Sequence, residues 1–138
     1  MAEFVQESLS IKTQGRGTYE ITDRVNQFVT GVAGYGICHV FITHTSASLI
    51  ITENADPDVH RDLETFFGDL APDGDPRMRH DAEGPDDMPA HIRCALTQTN
   101  LSIPVADGRL LLGTWQGIYV WEHRTRPHSR RVILSVQS

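Results

Sequence analysis

The sequence predicts a single α+β domain of about seven strands with two or three helices. Three observations support this prediction. The chain has 138 residues, which suffices for one hydrophobic core and is too short for two ordinary domains. Apolar residues alternate with polar residues in several short segments, and two other segments repeat theirs at helical spacing. No repeat, linker or low-complexity tract divides the chain, so residues 1–138 are expected to form one domain.

The first quarter of the chain is predicted to form two strands followed by a helix. Residues 4–12 alternate, and TYEI forms a second, short strand after the GRG turn. Apolar residues between positions 21 and 32 then recur at helical spacing. Thr22 or Asp23 is placed to cap this helix at its start, and Gly34 is placed to end it.

Two further strands, 37–45 and 48–52, precede a second predicted helix. Asp56-Pro57 is a typical helix start, because the N–H that proline lacks would have no partner in the first turn. The apolar residues that follow form a helical stripe of Val59, Leu63, Phe66, Phe67 and Leu70.

A long loop, APDGDPRMRHDAEGPDD, separates the second helix from the rest of the chain. Its proline, glycine and aspartate residues exclude regular structure, and loops of this length are often functional. Pro89 is predicted to begin a short third helix that continues through Ile92 and Leu96. The rest of the chain is predicted to be β, with strands at LSIPV, RLLLGTW, GIYVWEHR and RRVILSVQ and a turn at Asp107-Gly108.

The composition argues against several classes of protein. The net charge is -6 and the pI is about 5.5, so a general nucleic-acid surface is not expected. No apolar run approaches the roughly 20 residues that span a bilayer, and the amino terminus lacks the apolar core of a secretion signal. We therefore expect a cytoplasmic protein that does not bind a membrane. Cys38 and Cys94 match no CxxC spacing and are expected to be buried free thiols.

The charges are distributed unevenly along the chain. Residues 53–87 contain twelve of the eighteen acidic residues, and the chain from residue 93 onward contains six arginines with two acidic residues. Two interpretations are open. The segments are either a solvated acidic loop and a basic tail, or they supply a cation site and an anion site respectively.

The segment HTSAS, residues 44–48, is the first concentration of groups that bind metals or phosphate. His44 ends a predicted strand beside three hydroxyl residues. His39 is predicted to point to the opposite face of that strand, because side chains alternate. A histidine at a strand end can also be a capping or core residue, so His44 alone does not establish a site.

The segment HDAEGPDDMPAHI contains a denser group of metal-binding side chains, among them His80, Asp87 and His91. If a helix begins near Asp87, His91 lies one turn later on the same side. Imidazole and carboxylate suit zinc, manganese or iron, and carboxylate-rich surroundings also suit magnesium. Each residue alone has an ordinary structural explanation, such as a helix cap, and the grouping is what indicates a metal site.

The segment GTWQGIYVWEHR is the third polar concentration. Trp115 either stacks on a heteroaromatic ring, with Gln116 bonded to the edge of that ring, or fills the core. Glu122 and Arg124 alternate onto one face of a strand, so they either pair with each other or serve as a ligand and a phosphate clamp.

Three long segments, in this order, resemble the YjbQ family over about residues 4–137: HTSASLIITENADPDV, HDAEGPDDMPAHI and IPVADGRLLLGTWQGIYVWEHR. One departure is Met78, where an aromatic residue is expected two positions before His80. The resemblance implies a β-sandwich of seven strands in two sheets and a homotrimer packed around a threefold axis. It also implies a secondary thiamine-phosphate synthase activity, in which a hydroxymethylpyrimidine pyrophosphate joins a thiazole phosphate and pyrophosphate is released.

These observations lead to the hypothesis of one pocket that binds a metal and a small phosphorylated substrate. The predicted ligands of the divalent ion, zinc or magnesium, are His44, His80 and His91 with Asp87 or Glu53. The substrate is predicted to contact Thr45, Ser46, Ser48, Asn54, Trp115, Gln116 and Arg124. Two alternatives are open: a metal-dependent phosphate-ester hydrolase that uses the same ligands, and a non-catalytic trimeric binder of a phosphorylated ligand.

Overall fold

A computed structural model describes residues 3–138 of the chain. Within these residues there are eight strands and three helices. In chain order they are β1 (Phe4–Thr13), β2 (Gly17–Glu20), α1 (Thr22–Val29), β3 (Tyr35–Ile42), β4 (Ala47–Glu53), α2 (Pro57–Leu70), α3 (Asp87–Leu96), β5 (Asn100–Ala106), β6 (Arg109–Leu110), β7 (Gln116–Glu122) and β8 (His128–Gln137).

The strands form two antiparallel sheets. The larger sheet has the order β1-β8-β3-β5-β6, and the smaller sheet has the order β2-β7-β4. Apolar side chains from one face of each sheet fill the space between them, including Val40 and Leu134 from the larger sheet and Leu49 and Val120 from the smaller. The predicted α+β class and the two-sheet arrangement implied by the family resemblance are therefore confirmed.

The strand prediction is wrong in one segment. RLLLGTW was expected to be one strand, but only Arg109 and Leu110 pair with β5. The side chains of Leu111 and Trp115 are more than half exposed, because the chain leaves the larger sheet here to reach the smaller one. An apolar run in a sequence does not show where a strand loses its partner.

The helices begin for different reasons. Asp56 caps α2 as predicted, since its side chain accepts the backbone N–H of Asp58 at 2.9 Å and Pro57 follows it. The predicted cap of α1 is wrong. Ile21 occupies the cap position without a side-chain hydrogen bond, and the Thr22 hydroxyl instead donates to Glu20 at 2.8 Å.

Helix α2 covers the outer face of the smaller sheet. The ring of Phe67 packs edge-on against Trp121 of β7, with centroids 5.0 Å apart. Phe66 and Leu70 on the same helix remain 62% and 53% exposed. Part of the predicted apolar stripe therefore faces outward in the single chain.

Two other sequence predictions can be compared with the structure. Cys38 and Cys94 are free and buried, as expected. No helix in the described part of the chain is long and apolar enough to cross a membrane.

Candidate functional site

A group of polar side chains lies at one end of the smaller sheet. Strands β4 and β7 are antiparallel with Ala47 opposite Glu122. This register places the turn that precedes β4 beside the residues that follow β7. The start of α3 closes the same end, since the ring of His91 contacts the carbonyl of Thr45 in the turn.

His80, Asp87 and His91 form the centre of this group. Each offers one ligand atom, and the three atoms lie within 4.8 Å of one another. His80 Nε2 is 2.7 Å from Asp87 Oδ2, and His91 Nε2 is 3.4 Å from Asp87 Oδ1. Side-chain exposure is 51% for His80, 28% for His91 and 2% for Asp87, so the cluster has a buried carboxylate and opens toward His80.

The tautomer of His91 suits a metal ligand. Its Nδ1 lies 2.9 Å from the Thr45 carbonyl oxygen, which can only accept, so Nδ1 carries the proton. The Nε2 lone pair then faces Asp87. Metal-binding histidines almost always donate their second ring N–H to a carbonyl or carboxylate in this way. Helix α3 supplies both groups, because Asp87 and His91 are one turn apart.

Arg124 is fully engaged by the acidic residues that lead into α3. Its Nε donates to Asp86 at 2.9 Å, one terminal nitrogen lies 3.0 Å from Asp87, and the other donates to the Glu83 carbonyl at 2.8 Å. The expected pair of the Glu122 and Arg124 side chains is therefore not formed, because Glu122 bonds to Arg130 instead. A contact of Arg124 with a phosphate stays a prediction.

The arginine also affects the charge of the cluster. Burial favours a higher pKa for Asp87, but the hydrogen bond from His80 and the charge of Arg124 outweigh it and lower the pKa below its usual value. Burial also favours a higher pKa for Asp86. Hydrogen bonds from the Thr125 N–H and from Arg124 outweigh this effect, and the pKa of Asp86 falls to about 2. Both carboxylates are therefore anions at neutral pH.

His44 has the opposite tautomer to His91. Its Nδ1 accepts the backbone N–H of Ser46 at 3.0 Å, so the proton of the neutral ring is on Nε2. Burial and the charge of Arg130 lower the pKa of His44, which keeps the ring neutral at pH 7. In this arrangement His44 is a hydrogen-bond donor and lies outside the three-residue cluster, so its role as a metal ligand stays a prediction.

Of the three hydroxyl residues in the turn, only Thr45 is available to a ligand. Ser46 and Ser48 are buried. The hydroxyl of Ser46 accepts from Arg130 at 3.3 Å, and that of Ser48 lies 2.8 Å from His123 Nε2. Thr45 is exposed, and its hydroxyl makes no hydrogen bond to any residue between 3 and 138. Ser46 and Ser48 therefore hold the turn in place.

A buried ion pair supports the turn from below. Glu122 accepts two hydrogen bonds from Arg130, at 2.6 and 2.8 Å, and a third from the Thr13 hydroxyl at 2.7 Å. Burial favours a higher pKa for Glu122, but these bonds outweigh it and lower the pKa. Because both carboxylate oxygens are bonded, Glu122 is a structural anion and is not free to act as a ligand.

Four predicted site residues lie at the opposite end of the smaller sheet: Glu53, Asn54, Trp115 and Gln116. The register pairs Glu53 with Gln116 and Ala47 with Glu122, so about 20 Å of strand separates the two ends. Within one chain these four residues do not join the His80–Asp87–His91 cluster. The physical reason is the antiparallel pairing, which brings the end of β4 to the start of β7.

The side chains at this second end mostly brace the backbone. Glu53 accepts the N–H groups of the two residues after Asn54, each at 3.2 Å. Asn54 donates to two carbonyls that flank Trp115, and Gln116 accepts the N–H of Gly113 at 2.8 Å. The ring of Trp115 is 63% exposed, so it does not fill the core.

Sequence reasoning missed two residues that shape the site, Arg130 and His123. Their partners, Glu122 and Ser48, lie on other strands, so no local spacing reveals the pairs. The available signal was the tripeptide Trp-Glu-His at the end of β7. Its three residues are completely buried, and charged or imidazole groups in such places need partners.

The fold and the cluster define a class of small two-sheet α+β proteins with a histidine and carboxylate site at one end of the smaller sheet. The family model "UPF0047 protein YjbQ-like" matches residues 7–138, and the chain belongs to this family. A relative from Synechocystis, "UPF0047 protein sll1880", is 56% identical over 133 residues, which is 95% of this chain and 90% of the relative. The YjbQ protein of Escherichia coli O157:H7 is 41% identical and covers 96% of each chain.

Solved structures agree with this assignment. The "conserved hypothetical protein TT1486" from Thermus thermophilus superposes with a TM-score of 0.83 at 34% identity, over 93% of this chain and 97% of that one. A YjbQ/UPF0047 protein from Clostridium acetobutylicum superposes with a TM-score of 0.80 at 36% identity, over 94% of this chain and 97% of that one. Both similarities concern the fold and the family.

Proposed function

We propose that this protein is a metal-dependent enzyme that acts at the phosphate group of a small molecule. The observation that carries the proposal is the hydrogen bond from His91 Nδ1 to the Thr45 carbonyl, because it leaves Nε2 as a lone-pair donor beside Asp87. His80 would complete a set of two imidazoles and one carboxylate. That donor set fits zinc better than magnesium, which prefers oxygen ligands.

Three protein ligands are typical of catalytic zinc sites, which keep a position open for substrate or water. A bound divalent ion would polarise a phosphate oxygen and stabilise charge on the leaving group. His80 Nε2 must lose its proton to bind a metal, since it now donates to Asp87. The His44 Nε2–H group and the Thr45 hydroxyl are the free donors of the turn, and they supply hydrogen bonds to phosphate oxygens.

The family resemblance suggests a specific reaction, the thiamine-phosphate synthase type of transfer. The bond between the pyrimidine methylene and oxygen breaks, and its electron pair leaves with pyrophosphate. The lone pair of the thiazole nitrogen forms the new bond to the methylene carbon. No proton is removed in these steps, so the reaction needs stabilisation of the leaving group and no general base. A neutral His44 that donates a hydrogen bond suits this requirement.

The second candidate is hydrolysis of a phosphate ester, with water as the acceptor. The separation of Trp115 and Gln116 from the cluster favours it, because within one chain these two side chains do not hold a second ring beside the metal ligands. The two reactions differ in what they require. In the transferase, pyrophosphate release depends on thiazole phosphate, whereas a hydrolase releases phosphate without it. Tight binding of a phosphorylated ligand without turnover under any metal would instead indicate a binding protein.

Metal analysis of purified variants tests the proposed site directly. We expect stoichiometric zinc in the wild type and its loss in His80→Ala and His91→Ala, with unchanged circular dichroism spectra. His39→Ala is the matched control, because His39 bonds to Ser102 on the larger sheet. Unchanged metal content in both site variants would exclude the assignment.

The homotrimer implied by the resemblance also belongs to this proposal. Phe4 and Ile37 flank Gln137 on the outer face of the larger sheet, and Phe41 lies four residues further along β3 on the same face. Their exposures are 63%, 46% and 46% in the single chain. An apolar face of this kind supports association between copies. A cytoplasmic location remains a prediction from the sequence.

A further inference from the structure

The turn between β1 and β2, the GRG segment of residues 15–17, is attached to the end of β7. The Nε–H of Arg16 donates to the His123 carbonyl at 2.9 Å. Gly15 has a φ of +117°, and a Cβ atom on it would lie 2.8 Å from the carbonyl oxygen of Thr125. Only glycine allows this close approach of the two segments. The contact places the guanidinium group of Arg16 at the same end of the smaller sheet as the candidate site.

From this position Arg16 also binds the start of the loop between α2 and α3. Its two terminal nitrogens each donate to one carboxylate oxygen of Asp73, both at 2.9 Å, so the pair is bidentate. Side-chain exposure is 19% for Arg16 and 36% for Asp73. Partly exposed ion pairs usually add little to global stability, but a bidentate pair fixes the relative position of its two partners. Arg16 therefore determines where the start of this loop lies relative to β7.

His80 lies in this loop between the attachment at Asp73 and a second attachment. Arg124, which follows β7, donates to the Glu83 carbonyl at 2.8 Å and holds the far part of the loop. The side chain of His80 is 51% exposed, and its Nε2 lies 2.7 Å from Asp87. A half-exposed ring takes its position from the backbone that carries it. The two attachments therefore decide whether His80 reaches Asp87.

Asp87 and His91 do not depend on the loop in this way. Both belong to α3, and helical spacing alone places them one turn apart. Loss of the attachment at Arg16 should therefore displace His80 and leave the other two cluster residues in place. Displacement of one ligand lowers the metal affinity of a site although every donor group is still present.

We infer that Arg16 is a positioning residue, which holds His80 at the cluster through Asp73 and the loop. Its effect on metal binding rests on the proposed function, but the contacts themselves exist in the metal-free protein. The zinc affinity should fall about tenfold in Arg16→Ala, as when an outer partner of a metal ligand is removed. Asp73→Ala should have the same effect. The double variant should be no worse than either single variant, because the two residues act as one unit.

Histidine NMR provides a readout in the absence of metal. The rings of His80 and His91 pack edge to face with centroids 5.1 Å apart, so a nuclear Overhauser effect between their ring protons reports on the position of His80. In protein labelled with ¹³C-histidine, we expect this effect in the wild type and its loss in Arg16→Ala and Asp73→Ala. The signals of His39 on the larger sheet should not change, whereas a general loss of structure would alter them as well.

Two further variants are matched controls. Arg77 makes a bidentate pair with Asp75, but both residues lie inside the loop, so Arg77→Ala should keep the Overhauser effect and the zinc affinity. Arg16→Lys keeps the charge without the bidentate geometry, and it should restore part of the zinc affinity that Arg16→Ala loses. An unchanged Overhauser effect and zinc affinity in Arg16→Ala and Asp73→Ala, or additive losses in the double variant, would overturn the inference.

The same measurements separate this inference from the proposed function. If Arg16→Ala and Asp73→Ala lose the Overhauser effect but the wild type takes up no zinc, the metal site fails and the positioning role stands. If the wild type binds zinc and both variants keep the Overhauser effect and the zinc affinity, the positioning role fails and the metal site stands.

Discussion

The completely buried His123 should make the protein lose stability in acid. Its Nε2 is paired with Ser48 at 2.8 Å, and its Nδ1 has no partner among the described residues. Burial lowers the pKa of His123 to about 3, and the charges of Arg93, Arg16 and Arg130 act in the same direction. A histidine in an unfolded chain has a pKa near 6.5. Folding therefore requires this ring to stay neutral.

The size of the effect follows from proton linkage. Between pH 6.5 and pH 3 the unfolded state binds a proton that the folded state does not, so the free energy of unfolding falls as the pH falls. Each pH unit below 6.5 costs about 1.4 kcal/mol, which gives a loss of about 2.7 kcal/mol at pH 4.5. The contribution of the neutral ring is fully present above pH 6.5, and the loss is complete below about pH 3.

Urea unfolding at pH 7 and pH 4.5 measures this term when the wild type is compared with His123→Gln. Glutamine can still form a hydrogen bond to Ser48 but does not titrate. Between pH 7 and pH 4.5 the free energy of unfolding of the variant should therefore fall by about 2–3 kcal/mol less than that of the wild type. His39→Gln, on the outer face of the larger sheet, is the control for other titrating groups. Equal losses in the wild type and His123→Gln would refute the reasoning.

Two other predictions concern the buried pair and the outer face of the larger sheet. Glu122→Gln leaves the charge of Arg130 buried without its counterion, so urea unfolding at pH 7 should show a loss of about 3–5 kcal/mol. Glu53→Gln is the control, and a loss below about 1 kcal/mol in Glu122→Gln would contradict the role of the pair. Phe41→Lys should convert the proposed trimer to monomers in light scattering, because it places a charge in the apolar face. Leu111→Lys is the control, and a trimer that persists in Phe41→Lys would exclude this face as the interface.

Most of the fold could be predicted from the sequence because its elements have strong local patterns. Strand β8 contains a run of strand-forming apolar residues, and Asp56-Pro57 marks the start of α2. The cap of α1 was predicted wrongly because a tertiary contact competes for Thr22. Its hydroxyl accepts the N–H of Ile118 in β7 at 2.8 Å, a partner that no sequence window contains.

Some contacts of the candidate site follow from local sequence spacing, and others depend on the tertiary fold. Asp87 and His91 could be placed together because helical spacing puts them one turn apart. The contact of His80 with Asp87 depends on the path of an irregular loop, and the partners of Arg124 depend on how that loop meets β7. Neither loop path nor sheet partner follows from residue spacing, so the partners of Arg124 could not be predicted from the sequence.

Strand register is the property that joins these parts into one site. The pairing of Ala47 with Glu122 aligns the turn at Thr45 with the end of β7, and it places Glu122 between the sheets while His123 faces the helices. A slip of one residue would exchange those two faces, leaving a carboxylate beneath α2 and an imidazole beside Arg130. Both groups would then be buried without suitable partners, at a cost of several kcal/mol. The buried polar residues at the end of β7 therefore fix the register, and the register brings the Thr45 carbonyl to His91.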